Sequence, residues 1–143
     1  MAAGAGYSGT PLAQKLGLRD GDRVLFIDLP ESLAELTTAR RFAEASRVTV
    51  EQVGDAEGPY AVVHLFTGAR AVLERLIGRL RDLIARDGAI WVSWPKQASR
   101  IDTDLTEDAI RAAVLPLGLV DVKVCAVDEV WSGLKLVIRK ELR

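Results

Sequence analysis

Apolar and polar positions follow two regimes along the chain. Val24-Leu25-Phe26-Ile27, Ala61-Val62-Val63-His64-Leu65-Phe66 and Ala89 to Trp94 are short, almost wholly apolar runs. Such runs predict strands covered on both faces. Between Ala69 and Arg86 the period changes to 3.6: Leu73, Leu76, Ile77, Leu80, Leu83 and Ile84 fall on one side of a predicted helix. Asp87-Gly88 is expected to end it, with Gly88 in the left-handed position past the last turn.

Weaker signals fill the remainder. Met1 to Gly9 is small and Gly/Ala-rich and reads as a mobile arm. Thr10-Pro11 reads as cap and first position of a short helix carrying Leu12 and Leu16 and stopped by Gly17, before an Asp20-Gly21-Asp22 turn. Pro30 opens a predicted helix with Leu33, Leu36, Ala39 and Ala43 on one side. Val48-Thr49-Val50 with Val53 predicts a strand, and Gly54 to Pro59 a loop. Asp104-Leu105-Thr106-Glu107 fits a capping box with Asp104 as the cap of a helix bearing Ile110, Ala113 and Val114, which Pro116-Leu117-Gly118 breaks. Val120 to Val124 and Leu134 to Arg139 alternate, predicting a closing antiparallel strand pair at a sheet edge. The order predicts one Rossmann-like three-layer α/β domain over 1–143, its sheet mainly parallel and ending in that antiparallel pair.

Composition narrows the function. At 143 residues the chain is one ordinary domain, long enough to bury a core of its own. Nineteen Lys and Arg balance twenty Asp and Glu, so a general nucleic-acid binder is not expected. No leader or membrane-spanning segment is legible, and a cytoplasmic protein is the expectation. One cysteine, Cys125, and one histidine, His64, exclude a disulfide within the chain, a cysteine-based zinc site and a multi-histidine metal site. Asp102, Asp104, Glu107 and Asp108 match no calcium loop, so no metal is predicted.

Candidate nucleophiles fail on geometry. Ser93-Trp94-Pro95-Lys96 and Ser132-Gly133-Leu134-Lys135 both spell S-x-x-K, a pairing that needs a helix. Pro95 forbids one in the first, and the second lies in a strand pattern, where i and i+3 face apart. His64 reads as a core histidine, or as a base if it lies near a strand's carboxyl end. Cys125 reads as a packing residue, although Lys123 could lower its pKa. The five arginines of the Ala69–Arg86 helix meet Glu74 and Asp82 and read as a solvated face, with Arg70–Glu74 and Asp82–Arg86 as i,i+4 pairs.

Two resemblances are carried by particular segments. Lys15 to Leu25 is similar to the lead-in to the first strand of class I S-adenosylmethionine-dependent methyltransferases, and Asp87-Gly88-Ala89-Ile90-Trp91-Val92 to the entry of their fifth. Tyr7-Ser8-Gly9-Thr10-Pro11-Leu12, Trp91 to Lys96, and Val122 to Ala126 through Trp131 to Leu136 resemble the bacterial domain-of-unknown-function family 3052. That likeness implies a small methyltransferase-like fold and no established activity. The methyltransferase fold holds its cofactor on a Gly-rich turn after the first strand. Here Asp28-Leu29-Pro30-Glu31-Ser32 follows instead, and no glycine occurs between Asp22 and Val53. Binding of S-adenosylmethionine or a dinucleotide is therefore not predicted, although Glu51 stands where an acidic residue could hold ribose hydroxyls.

These observations favour a non-catalytic binding or regulatory module, with no cofactor. The alternative is a divergent S-adenosylmethionine-dependent methyltransferase. Asp28, Thr67, Trp94, Lys96 and Arg100 are expected at the carboxyl ends of the parallel strands, where ligands of such sheets sit. Lys96 and Arg100 point to a small anionic ligand, unless Asp102 and Asp104 neutralise them. Trp131 is the candidate for an interface with a protein partner, or with a second copy through the terminal strand pair.

Overall fold

The computed structural model describes residues 11–143; the expected arm over 1–9 and the Thr10 cap lie outside the described residues. β1 (Arg23–Ile27), β2 (Glu44–Val48), β3 (Tyr60–Phe66), β4 (Ile84–Pro95), β5 (Leu119–Ala126) and β6 (Trp131–Ile138) form one sheet in the order β2-β1-β3-β4-β6-β5. β1 to β4 are mutually parallel. β6 runs antiparallel between β4 and β5. The expected closing antiparallel pair is present, with β6 internal and β5 at the edge opposite β2. Alternation along each strand decides which layer a side chain joins.

One face packs under α2 (Arg70–Leu83) and α3 (Glu107–Val114). Leu25, Ile27, Val63, Leu65, Ile90 and Val92 meet Leu73, Ile77 and Leu80 there. The other face holds Val24, Phe26, Val62, Phe66 and Trp91 under α1 (Leu12–Lys15) and the segment Glu31–Thr38. Trp91 Nε1 donates to the Leu16 carbonyl at 2.9 Å, fixing α1 to β4. Gly17, at φ 71, ends α1 in the left-handed region, where glycine carries no Cβ penalty.

Several expectations are corrected. Glu31–Thr38 is a 3-10 helix, because Leu33 and Leu36 are buried three apart, the spacing that eclipses side chains in that tighter coil. The second strand lies earlier, over Glu44–Val48; Val50 and Val53 are the buried positions of a 3-10 turn over Val50–Asp55, again three apart. Asp87-Gly88 does not cap α2. The helix passes directly into β4 at Ile84, and Gly88 lies inside that strand. A Cβ on Gly88 would stand 2.9 Å from the Tyr60 carbonyl oxygen, so glycine there answers to a close backbone approach. Arg86 accordingly falls outside the helix, while Arg70–Glu74 forms at 2.9 Å. Asp104 does not cap α3: Thr106 does, its Oγ1 accepting from Ala109 N at 3.0 Å. Asp104 Oδ1 instead accepts from Arg70 N at 2.7 Å, capping α2 from a distant loop.

Candidate functional site

The strand order reverses at β1, which lies between β2 and β3, so the carboxyl ends of β1 and β3 flank a topological switch point. β1 delivers Asp28 to this edge. Its backbone is left-handed, φ 54, which costs a non-glycine residue about 1–2 kcal/mol. Two bonds hold it. Asp28 N donates to the Val48 carbonyl at 2.9 Å, and Oδ1 accepts from Val50 N at 3.2 Å. Beside it lies a small pocket of about 270 Å³ lined by Asp28, Leu29, Arg47, Val48, Thr49 and Gln52. Arg47 donates to the Leu29 carbonyl at 3.2 Å and pairs with Glu31 at 3.3 Å, so it ties the turn after β1 to the end of β2. Glu51 is exposed in the first turn of the 3-10 segment that follows. Arg47 carried no signal in the sequence, where a strand was expected to begin only after it.

The next strand ends place Thr67, Lys96 and Arg100. Thr67 Oγ1 accepts from Ala69 N at 3.1 Å, so its hydroxyl shapes the turn into α2. Lys96 N donates to the Val130 carbonyl at 2.7 Å, and Arg100 is left-handed at φ 60 after the turn Gln97–Ser99. Among the described residues neither Lys96 nor Arg100 forms an ion pair; Asp102 and Asp104 do not neutralise them. Trp94 is more buried than its neighbours in this group. Next to the carboxyl end of β4, it is 9% exposed and packs into the core cluster under α2 and α3. Trp131 is half-buried on the opposite face, its ring edge-on to Phe66 at 5.3 Å.

Beneath this edge lies a polar pair that sequence reasoning missed. His64 Nε2 and Ser93 Oγ are 2.7 Å apart, a base–nucleophile distance. They are 1% and 0% exposed, and Phe66 stacks on the imidazole at 4.1 Å. Burial lowers the imidazole pKa to about 3. No substrate reaches this pair; it is a core contact, and His64 is not the base at a strand's carboxyl end. Ser93 thereby leaves the S-x-x-K arrangement. Cys125 is likewise no reactive thiol: burial pushes its pKa up, and Lys123, Lys15 and Lys96 only partly offset this. Among the described residues no group of three His, Cys, Asp or Glu could hold a metal ion, and no helix is long and apolar enough to cross a membrane.

No family model and no curated protein matches the chain. Solved structures do. An S-adenosylmethionine-dependent methyltransferase from Aquifex aeolicus superposes with a TM-score of 0.65 at 11% identity, covering 89% of this chain and 88% of that one. One from Clostridium acetobutylicum gives 0.62 at 7% identity, over 89% and 87%. Ribosomal protein L11 methylase from Lactobacillus delbrueckii subsp. bulgaricus gives 0.57 at 12% identity, over 84% and 71%. At these identities the likeness shows the fold: a Rossmann-like methyltransferase architecture, with β6 inserted antiparallel before the edge strand.

Proposed function

We propose that the chain is a divergent S-adenosylmethionine-dependent methyltransferase, with its cofactor crevice along the carboxyl ends of β1, β2 and β3. The carrying observation is the turn after β1. Asp28 takes a left-handed conformation there, so the chain turns tightly without the glycines that usually permit it. Strain of this kind gathers at functional sites. The charges also suit the cofactor. Asp28 lines the pocket and Glu51 stands in the 3-10 turn after β2, carboxylates suited to cationic and ribose groups. Lys96 and Arg100, without ion pairs among the described residues, follow β4 and would suit its carboxylate. The bound cofactor would supply an electrophilic methyl group. The protein's part would be orientation and exclusion of water, which asks for no general acid or nucleophile. The structural neighbours named above support this reading over the non-catalytic one that the sequence favoured.

One observation favours a second reading. The pocket beside Asp28 holds about 270 Å³, below the roughly 300–1,000 Å³ common for ligand sites, and Pro30 removes a backbone donor from its turn. A cofactor-free module binding a small anion at Lys96 and Arg100 accounts for that. Calorimetric titration with S-adenosylmethionine separates the two. The methyltransferase reading expects a dissociation constant tighter than about 100 µM, near −5.5 kcal/mol, and weaker binding by Asp28→Ala. A folded protein that takes up no cofactor, yet loses a copurifying anion on Lys96→Ala or Arg100→Ala, overturns it in favour of the module.

A further inference from the structure

A concavity of about 530 Å³ lies at the opposite end of the sheet, beneath the amino ends of the parallel strands. Leu16, Val62 and Val137 give it apolar walls, and Arg19 and Lys135 bring charge. Lys135 is half-buried, its Nζ so near Gly17 that a Cβ there would stand 3.6 Å away. Across the β5–β6 ladder it stands directly opposite Lys123. Like charges so placed destabilise a sheet. Lys123 Nζ is anchored at the end of α1 by the Lys15 carbonyl, 2.9 Å away, so it cannot swing clear without losing that bond. Burial, with Lys123 and Arg19 nearby, lowers the ammonium pKa of Lys135. Among the described residues no carboxylate pairs with Lys135, Lys123 or Arg19. The wall also holds two carboxylates. Asp22 Oδ2 accepts from Arg19 N, and Asp87 is exposed on the β4 side. Arg23, a further cation of the wall, is consumed by Glu44 and the Pro59 and Glu57 carbonyls.

We propose that this basal concavity is a binding site for a small phosphorylated molecule, its phosphate held by Lys135 and Arg19 in the added field of Lys123, and its organic body against Leu16, Val62 and Val137. The proposal does not depend on the strand-end crevice. A lone structural lysine is placed to make an ion pair; here Lys135 and Arg19 line the concavity, and Lys123, outside its lining but directly opposite Lys135 on β5, adds a third positive charge. A dianion relieves that repulsion, and departures from sheet pairing rules are concentrated where a protein binds something. A multiply charged phosphate answers such a cluster of positive charge better than a single carboxylate does.

Inorganic pyrophosphate is the probe, titrated calorimetrically and by thermal melting at low salt. Saturable binding that raises the melting temperature and weakens with added salt is expected, together with an upward shift in the Lys135 ammonium titration followed by NMR. Lys135→Met should weaken binding about tenfold or more. Without pyrophosphate the same variant should melt no lower than wild type, because it removes a repulsion. The exposed Arg19→Met should also weaken binding, and Lys140→Met, in the C-terminal turn, should not. Four results would overturn the proposal: no saturable binding, wild-type affinity in Lys135→Met and Arg19→Met, weakening by Lys140→Met as large as theirs, or a Lys135→Met protein destabilised without the anion, as a structural lysine requires.

Discussion

His64 and Ser93 meet diagonally across β3 and β4: His64 lies opposite Trp91 in the register and Ser93 opposite Phe66, with Nε2 and Oγ 2.7 Å apart. Nδ1 has no partner. An unpaired acceptor is tolerated more readily than an unpaired N–H, so the proton belongs on Nε2, donated to Ser93. The imidazole is thus a neutral wedge in an aromatic stack, with Phe66 on one face and Trp91 and Phe26 tilted about it at 6.2 and 6.4 Å.

This pair makes stability depend on acid. In the unfolded chain the imidazole takes up a proton near its ordinary value of 6.5; in the core it does so only near 3. Between those values the unfolded state binds the extra proton, so stability falls as the pH falls, by about 1.4 kcal/mol per pH unit. Urea unfolding of wild type and His64→Leu from pH 7 downward checks this. The variant should lose one proton's worth of slope, and an unchanged slope contradicts the neutral assignment.

Gly133 lets β6 pass over the same spot. A Cβ there would stand 3.2 Å from Trp91 Cε3, 3.2 Å from Val127 Cγ2 and 3.3 Å from Ser93 Oγ. Gly133→Ala is therefore expected to destabilise the protein by about 1–3 kcal/mol, the usual cost of overpacking. Denaturant midpoints at neutral pH measure it.

Asp28 carries both strain and a bond. Asp28→Asn retains an oxygen for Val50 N and tolerates the left-handed backbone, so it is expected within about 0.5 kcal/mol of wild type. Asp28→Ala loses the bond and worsens the strain, and should cost about 1–2 kcal/mol. Asp28→Gly should fall between them, losing the bond but relieving the strain. The rank order in urea unfolding is the test.

Asp104 should act on a helix it does not belong to. Asp104→Ala is expected to cost about 1 kcal/mol and to raise hydrogen exchange at the Arg70 amide, with the α3 amides unchanged. Asp104→Asn should preserve most of the cap. Faster exchange at the start of α3 instead would restore the assignment read from the sequence.

The parts of this fold legible in the sequence are those whose burial is local. β1, β3 and the core of β4 are apolar on both faces because helices cover both, and α2 shows a 3.6 period because one side meets the sheet. The 3-10 segment over Glu31–Thr38 reads as an ordinary helix because apolar residues three apart suit two coils and only packing selects the tighter one, whereas Val50 and Val53 read as a strand because valine favours one. Partners distant in the chain left no local trace. Asp104 reads as the cap of the helix after it; only the docking of its loop, 34 residues along from Arg70, shows which N–H it satisfies. Ser93 and His64 are 29 residues apart, and their bond exists because β3 and β4 align in one particular register. The lysine pair is the same case. Alternation along β5 and β6 marks Lys123 and Lys135 as strand positions, but only the turn between the two strands, and the slip in register before Lys123, sets them directly opposite each other. A strand's own pattern specifies which face each side chain takes; which residue it meets there is decided by the strand that hydrogen-bonds beside it.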